Sequence, residues 1–285
     1  MGDGGRVTSR ETLLRLAVTG EVLGFLLILV LVATPHGVID AAIDFDESVF
    51  AFLSLFARRS WALDMLIWSI WTQPAWQGGV VMLIVWVWWL TQGETPAGQR
   101  KRAVMLSSLV GVYASILLTL VFRAVLPYRA SPGLDPASGF TTPYLPDGAK
   151  LWVQATSFPS GHAAVLFALA IGLWSVSRPL GLVAGLHSLF VVCLPRVYFG
   201  RHWATDILAG AALALATVPV VNGMLRQSTL NPRLLGWSER HPAAFYSVFF
   251  LCTLDIAMDF AFAKTALKLV SLLEIGVNIR RVISM

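Results

Sequence analysis

Apolar and polar residues fall in long blocks along this chain, and most apolar blocks have the length of a helix that crosses a membrane. A hydrocarbon core of about 30 Å needs roughly 20 apolar residues in a helix. Leu16 to Thr34 is the first such block; it carries Glu21 and stops at Pro35. A carboxylate is costly in lipid, so Glu21 is expected to face other helices or an interface. From Ile43 to Phe56 the apolar residues mix with Asp44, Asp46 and Glu47, and Arg58 and Arg59 follow, the pattern of a helix lying on the membrane surface. Trp61 to Trp71 is apolar but short, with Asp64 inside it and Pro74 after it, which predicts an interfacial or re-entrant segment. Trp76 to Thr91 and Ala103 to Phe122 are the second and third expected spans, and Arg123 closes the third. Leu126 to Ser157 is polar and carries Pro127, Pro132, Pro136, Pro143 and Pro146, so a loop with little regular structure is expected. His162 to Ser177, Leu180 to Leu194 and Trp203 to Val221 complete six spans, the fourth and fifth joined tightly at Arg178-Pro179. A seventh run, Ala243 to Phe262, holds Asp255 and Asp259 at an i,i+4 spacing. They are expected to share one helix face and to meet a basic neighbour or an interface.

Composition agrees with the pattern. Of 285 residues 56% are hydrophobic and 13% charged, and the mean hydropathy is +0.71, which excludes an ordinary soluble domain. The net charge of +5 is spread over loops and helix ends without a dense basic face. That disfavours nucleic acid and leaves anionic lipid as the expected partner. Cys193 and Cys252 sit in apolar runs, where a thiol behaves as a small hydrophobe. The polar N-terminus, with Arg6, Arg10 and Arg15 ahead of the first apolar block, reads as a retained signal anchor.

Lys and Arg placement orients the chain. Arg6, Arg10, Arg15, Arg100, Lys101, Arg102, Arg178, Arg226, Arg233 and Arg240 collect on one side, expected to be cytoplasmic. Arg58, Arg59, Arg123, Arg129, Lys150, Arg196 and Arg201 fall on the other. A crossing by the seventh run would put Lys264, Lys268, Arg280 and Arg281 outside, so charge leaves its topology open.

Three polar clusters interrupt the apolar blocks: Arg123 to Arg129, Pro159-Ser160-Gly161-His162, and Arg196 to Asp206. Six spans put all three at the non-cytoplasmic ends of helices. Ser160 and Gly161 open a helix whose unpaired amides and dipole favour phosphate, although Ser160 alone also reads as a plain N-cap. His202 and Asp206, four apart, let a carboxylate hold one ring nitrogen and leave the other for substrate; alone they would read as an isolated polar pair. Arg196 and Arg201 add guanidinium groups suited to phosphate oxygens. His187 is expected to be a hydrogen-bonded bundle residue, and His36 and His241 loop residues without partners. Tyr144 and Trp152 in the long loop fit either a lipid entry or an interfacial aromatic belt.

Pro159-Ser160-Gly161-His162, followed by Arg196, five residues, His202, three residues and Asp206, resembles the second and third motifs of the type 2 phosphatidic acid phosphatase (PAP2) superfamily. The resemblance extends from about Asp40 to Val221 and departs in two places. The first motif reads Lys, six residues, Arg-Pro; here Arg123 is followed by five residues and Arg129-Ala130. One residue is about 100° of helix, enough to turn Arg123 elsewhere unless its long guanidinium stem compensates. Pro195 stands where the family has Ser. The resemblance implies an all-α integral membrane bundle of six transmembrane helices with interfacial helices and an extra C-terminal hydrophobic segment. Its expected divisions are residues 1–39 (arm and first span), 40–221 (catalytic core) and 222–285 (extension). It also implies phosphoryl transfer through His202 as nucleophile, Asp206 as its orienting carboxylate and His162 as proton donor. Phosphate contacts fall to Arg196, Arg129, Arg123, Ser160 and the Gly161 amide, with no metal or other cofactor. The substrate class it implies is a lipid phosphate or diphosphate in the cell membrane, a polyprenyl diphosphate being favoured by role, with the site facing away from the cytoplasm. Rival expectations are a phosphotransferase with the same intermediate, and a lipid or ion transporter.

Overall fold

The computed structural model describes residues 36–151, 156–226, 228–262 and 265. The expected first span with Glu21, the N-terminal arginines, Trp152, Lys264, Lys268, Arg280 and Arg281 lie outside them. The chain divides into units Met1–Asp46 and Glu47–Met285. The described part of the first unit is the start of helix α1 (His36–Ser54); all later helices belong to the second. These are α2 (Trp61–Thr72), α3 (Val80–Thr91), α4 (Pro96–Val125), α5 (Gly161–Val176), α6 (Arg178–His187), α7 (Leu194–Tyr198), α8 (Ala204–Arg226), α9 (Leu230–Arg240) and α10 (Pro242–Ala257). Two π-helical turns, Ala75–Gly79 and Ser188–Cys193, lead into α3 and α7. No strand occurs among the described residues.

Helix starts follow local chemistry. Ser60 caps α2 by accepting from the Leu63 amide at 3.3 Å, and Thr95 caps α4 through Gly98 at 3.1 Å, with Pro96 at the first position. Pro96–Val125, Arg178–Tyr198 and Ala204–Arg226 are each long and apolar enough to cross a membrane. Trp61–Thr72 and Ala75–Thr91 qualify only as a pair, bent by 74° where Pro74 interrupts them. The short Trp61 run is therefore one arm of a broken span or a re-entrant loop. Helices α5 and α10 are apolar but 16 residues long, about 24 Å of helix.

Helices α4, α5 and α8 pack against one another through small residues. A Cβ at Gly172 of α5 would lie 2.7 Å from Ser108 Cβ of α4, and one at Gly111 of α4 would lie 3.1 Å from Val218 Cα of α8. A Cβ at Gly210 of α8 would lie 2.9 Å from Ala163 Cβ and 3.0 Å from the Ala164 amide of α5. Without side chains at these points the backbones approach closely, as apolar helices in lipid require for tight association. Antiparallel order follows from the pairs along them: Asn222 with Ser108 at 3.0 Å, Val218 with Gly111, and Gly161 beside Thr119 and Arg123. The carboxyl ends of α4 and α7 and the amino ends of α5 and α8 thus share one end of the bundle. At the opposite end, Arg102 binds Glu94 at 2.9 Å and the Gln92 carbonyl at 2.8 Å.

Helix α10 settles against α3. Phe245 stacks on Trp89 with centroids 6.0 Å apart, Trp86 Nε1 donates to Thr253 at 3.0 Å, and a Cβ at Gly78 would meet Ala257 Cα at 2.9 Å. The two run antiparallel over their length. The expectation that Asp255 and Asp259 share a helix face does not hold, because α10 ends at Ala257. Asp255 instead ties the following turn, accepting from the Phe260 amide on its carbonyl at 2.7 Å and from the Phe262 amide on its carboxylate at 2.9 Å.

A side chain at Gly210 must push α5 and α8 apart. Gly210→Val is expected to cost about 1–3 kcal/mol, read as a lower melting temperature in detergent. Gly223→Ala in the same helix, with nothing within 4 Å of the added methyl, should leave the melting temperature unchanged or slightly raised.

Candidate active site

The three polar clusters meet at one end of the bundle. The Ser160 amide donates to the Asp206 carbonyl at 3.0 Å, fastening the start of α5 to the start of α8. Ser160 Oγ caps α5 by accepting from the Ala163 amide at 3.4 Å. His162 follows in the first turn, its side chain 24% exposed. Gly161 packs against Ile116, Thr119 and the Arg123 guanidinium.

Asp206 is fully buried and collects partners from three directions. Its Oδ2 accepts from the Trp203 amide at 2.8 Å and lies 3.4 Å from His202 Nδ1. Its Oδ1 accepts from Arg129 Nη1 at 2.8 Å. The same nitrogen donates to Thr205 at 2.8 Å, and the guanidinium lies 5.6 Å from the Trp203 ring centroid. His202 is also fully buried, and neither ring nitrogen makes a hydrogen bond among the described residues, Nδ1 standing 3.4 Å from the Asp206 carboxylate. Burial holds the His202 imidazole below its ordinary pKa, with Asp206 opposing and Arg196 and Arg123 assisting that shift. The ring is therefore neutral, with Nε2 as its lone-pair nitrogen if the Nδ1 proton faces Asp206.

Arg196, on the short helix α7, is buried. It donates to the Val192 carbonyl at 2.8 Å and to Gln77 Oε1 at 2.6 Å. A guanidinium has five N–H donors, so these two bonds leave others for a ligand. Both π-helical turns serve this arginine: one carries Gln77 and the other supplies the Val192 carbonyl. Such turns occur often at functional sites. Arg123, despite the shortened spacing, reaches the same end, where Nε and Nη2 donate to the Pro159 carbonyl at 3.0 and 2.8 Å.

A cavity of about 460 Å³ opens beside this cluster, its polar lining made by Gln77, His162, Arg196, Arg201 and Asp259. No group of three or more His, Cys, Asp or Glu side chains able to hold a metal is found among the described residues. His187 sits at the end of α6 against the Trp76 backbone. His241 lies between α9 and α10.

Three contributors escaped the sequence reading. Asp64 is fully buried and accepts from the Arg58 amide at 3.1 Å, the Tyr144 amide at 2.7 Å and the Tyr198 hydroxyl. It thereby holds the α7 end that carries Arg196. A carboxylate inside an apolar run was its signal. Gln77 carried no signal, because glutamine at a helix start is ordinary. Asp259 had been placed on a helix face, and instead its Oδ1 lies 3.4 Å from His162 Nε2.

Residues 106–229 match the family model described as PAP2 superfamily, a span that includes every motif residue named above. Over 137 residues the chain is 32% identical to lipid A 1-diphosphate synthase of Escherichia coli strain K12, covering 47% of this chain and 54% of that relative. The match thus spans about half the relative's length. Among solved structures, the first transmembrane PAP2 type phosphatidylglycerolphosphate phosphatase, from Bacillus subtilis, aligns with 71% of this chain and 93% of its own, at 24% identity and a TM-score of 0.44.

His202 links pH to stability. Below its ordinary value near 6.5 the unfolded chain binds a proton that the folded chain refuses, so folding stability falls as pH drops through and below that value. The melting temperature in detergent should decline over that interval, and His202→Gln should flatten the decline.

Proposed function

We propose that this chain, through the PAP2 superfamily domain at residues 106–229, is an integral membrane lipid phosphatase that works by a phosphohistidine. The observation that carries the reading is the buried His202–Asp206 pair, with Nε2 unbonded among the described residues, within electrostatic reach of Arg196 and Arg123.

In the first step the Nε2 lone pair of His202 forms a bond to phosphorus, and the bond from phosphorus to the leaving oxygen breaks with its electrons going to oxygen. The His162 imidazolium gives that oxygen a proton and becomes neutral. Asp206 holds Nδ1 and balances the charge that His202 gains. Arg196, Arg129, Ser160 and the Gly161 amide hold the phosphoryl oxygens, where their charge counts for more because water is scarce. Arg123, bonded to the Pro159 carbonyl, steadies the loop that presents Ser160 and adds positive charge. In the second step water attacks phosphorus and passes a proton to His162, the bond from phosphorus to Nε2 breaks, and its electrons return to nitrogen. No metal or cofactor enters either step.

The cluster lies at the bundle end opposite Arg102, Arg178 and Arg226, which under the positive-inside rule supports a site at the non-cytoplasmic face of the cell membrane. A lipid phosphate or diphosphate reaches it there, and a polyprenyl diphosphate of the undecaprenyl type is the favoured substrate. The second reading, transfer of the phosphoryl group to an acceptor lipid, is favoured by one observation: the similar Escherichia coli protein is named a synthase. Both readings share the first step.

Purified protein in detergent should release phosphate from at least one member of a panel of lipid phosphates and diphosphates. His202→Ala should reduce that release by about a hundredfold or more. Retained turnover in His202→Ala would exclude the mechanism. Phosphorylated acceptor in place of free phosphate would select the transferase.

A further inference from the structure

Beyond α10 the chain makes a turn that belongs to none of the three motifs and yet enters the site. Asp259 and Phe260 both have left-handed backbone, with φ of 56° and 58°, an uncommon conformation for residues other than glycine. Two fastenings hold it. On one side the Ala257 backbone lies directly against Gly78, where no side chain could fit. On the other, Phe260 is buried with its ring 5.5 Å from Tyr113, and Asp255 binds the Phe260 and Phe262 amides. Between these fastenings the Asp259 carboxylate points into the 460 Å³ cavity and meets His162 Nε2 at 3.4 Å.

Chemistry gives the placement a purpose. His162 stands close to Arg196 and to His202, and Arg123 lies against the neighbouring Gly161. A proton donor beside a guanidinium and a second imidazole needs a counter-charge, and a carboxylate on one ring nitrogen both supplies it and fixes the ring plane. Asp206 has the same relation to His202.

We propose that Asp259 is a positioning residue for His162: its carboxylate orients the ring and stabilises the imidazolium that protonates the leaving oxygen. The proposal rests on the phosphoryl-transfer reading above. In the balanced steps already given, Asp259 stays ionised throughout, while His162 loses a proton to the leaving oxygen and regains one from water. The C-terminal segment is thus part of the enzyme's proton-transfer apparatus, contributed from outside the family-matched residues.

The test uses two substrates that differ in their need for acid. A long-chain primary alkyl phosphate has a poor leaving group and depends on proton donation; p-nitrophenyl phosphate has a good one and does not. Asp259→Asn in the full-length protein should lower kcat on the alkyl phosphate by about tenfold or more, with KM little changed, and should leave turnover of p-nitrophenyl phosphate nearly intact. Asp259→Glu should recover much of the loss. Equal losses on both substrates would make Asp259 a structural residue only and overturn the proposal. No loss on either would do the same, as would a gain with lower KM, which would mark the carboxylate as a competitor of phosphate. Wild-type and His202→Ala proteins run alongside separate the two levels. If wild type is active, His202→Ala inactive and Asp259→Asn unaffected, only the assignment of Asp259 fails. If His202→Ala retains activity, the phosphohistidine reading fails and this proposal with it.

Discussion

The Ser160 amide meets the Asp206 carbonyl at 3.0 Å, and that meeting depends on how closely two helices approach at Gly210. The bond makes the first turns of α5 and α8 one unit. One turn carries Ser160, Gly161 and His162; the other carries Asp206, which holds His202 and Arg129. If the helices separated by the width of a methyl group, the Ser160–His162 turn and the His202–Asp206 pair would no longer be in register. Glycine in a helix interior costs about 1 kcal/mol relative to alanine, and here that cost is offset by the packing it permits.

Buried charge in this bundle is hydrogen-bonded or paired locally. Asp206 is shared by a backbone amide, an arginine and a histidine. Asp64 is shared by two amides and a tyrosine hydroxyl. Arg196 is held by a carbonyl and a side-chain amide oxygen. Removing one partner from such a group leaves a charge without water to solvate it, a penalty larger than the net gain from forming the contact. The polar clusters therefore behave as rigid units in an otherwise apolar molecule. That rigidity suits the phosphoryl transfer proposed above, because donors already in place need no reorganisation during reaction.

Much of this was legible along the chain. Blocks of apolar residues located α4, α6 through α7 and α8, with ends displaced by at most seven residues where the helix runs on into polar sequence such as Pro96 to Arg102, because a helix that must meet lipid has few polar positions to spare. The four-residue spacing of His202 and Asp206 predicted their pairing, and the two do meet at 3.4 Å, although His202 precedes α8, which begins at Ala204, so the turn leading into the helix and not a helix face brings them together. Arg123 shows the limit of such spacing. One missing residue predicts a rotated side chain, yet a long guanidinium arm brought it to the Pro159 carbonyl.

The sequence by itself determined a helical membrane protein with three polar clusters and the local pairs inside each, because periodicity and short-range spacing are properties of the chain. Only the tertiary structure decided which clusters touch: Arg129 with Asp206, Gln77 with Arg196, Asp64 with Tyr198, and Asp259 with His162. Each joins residues between 77 and 134 positions apart, and no local rule connects them. Packing of α10 against α3 chose the last of these contacts, turning an acidic residue read as part of a helix face into a neighbour of the site.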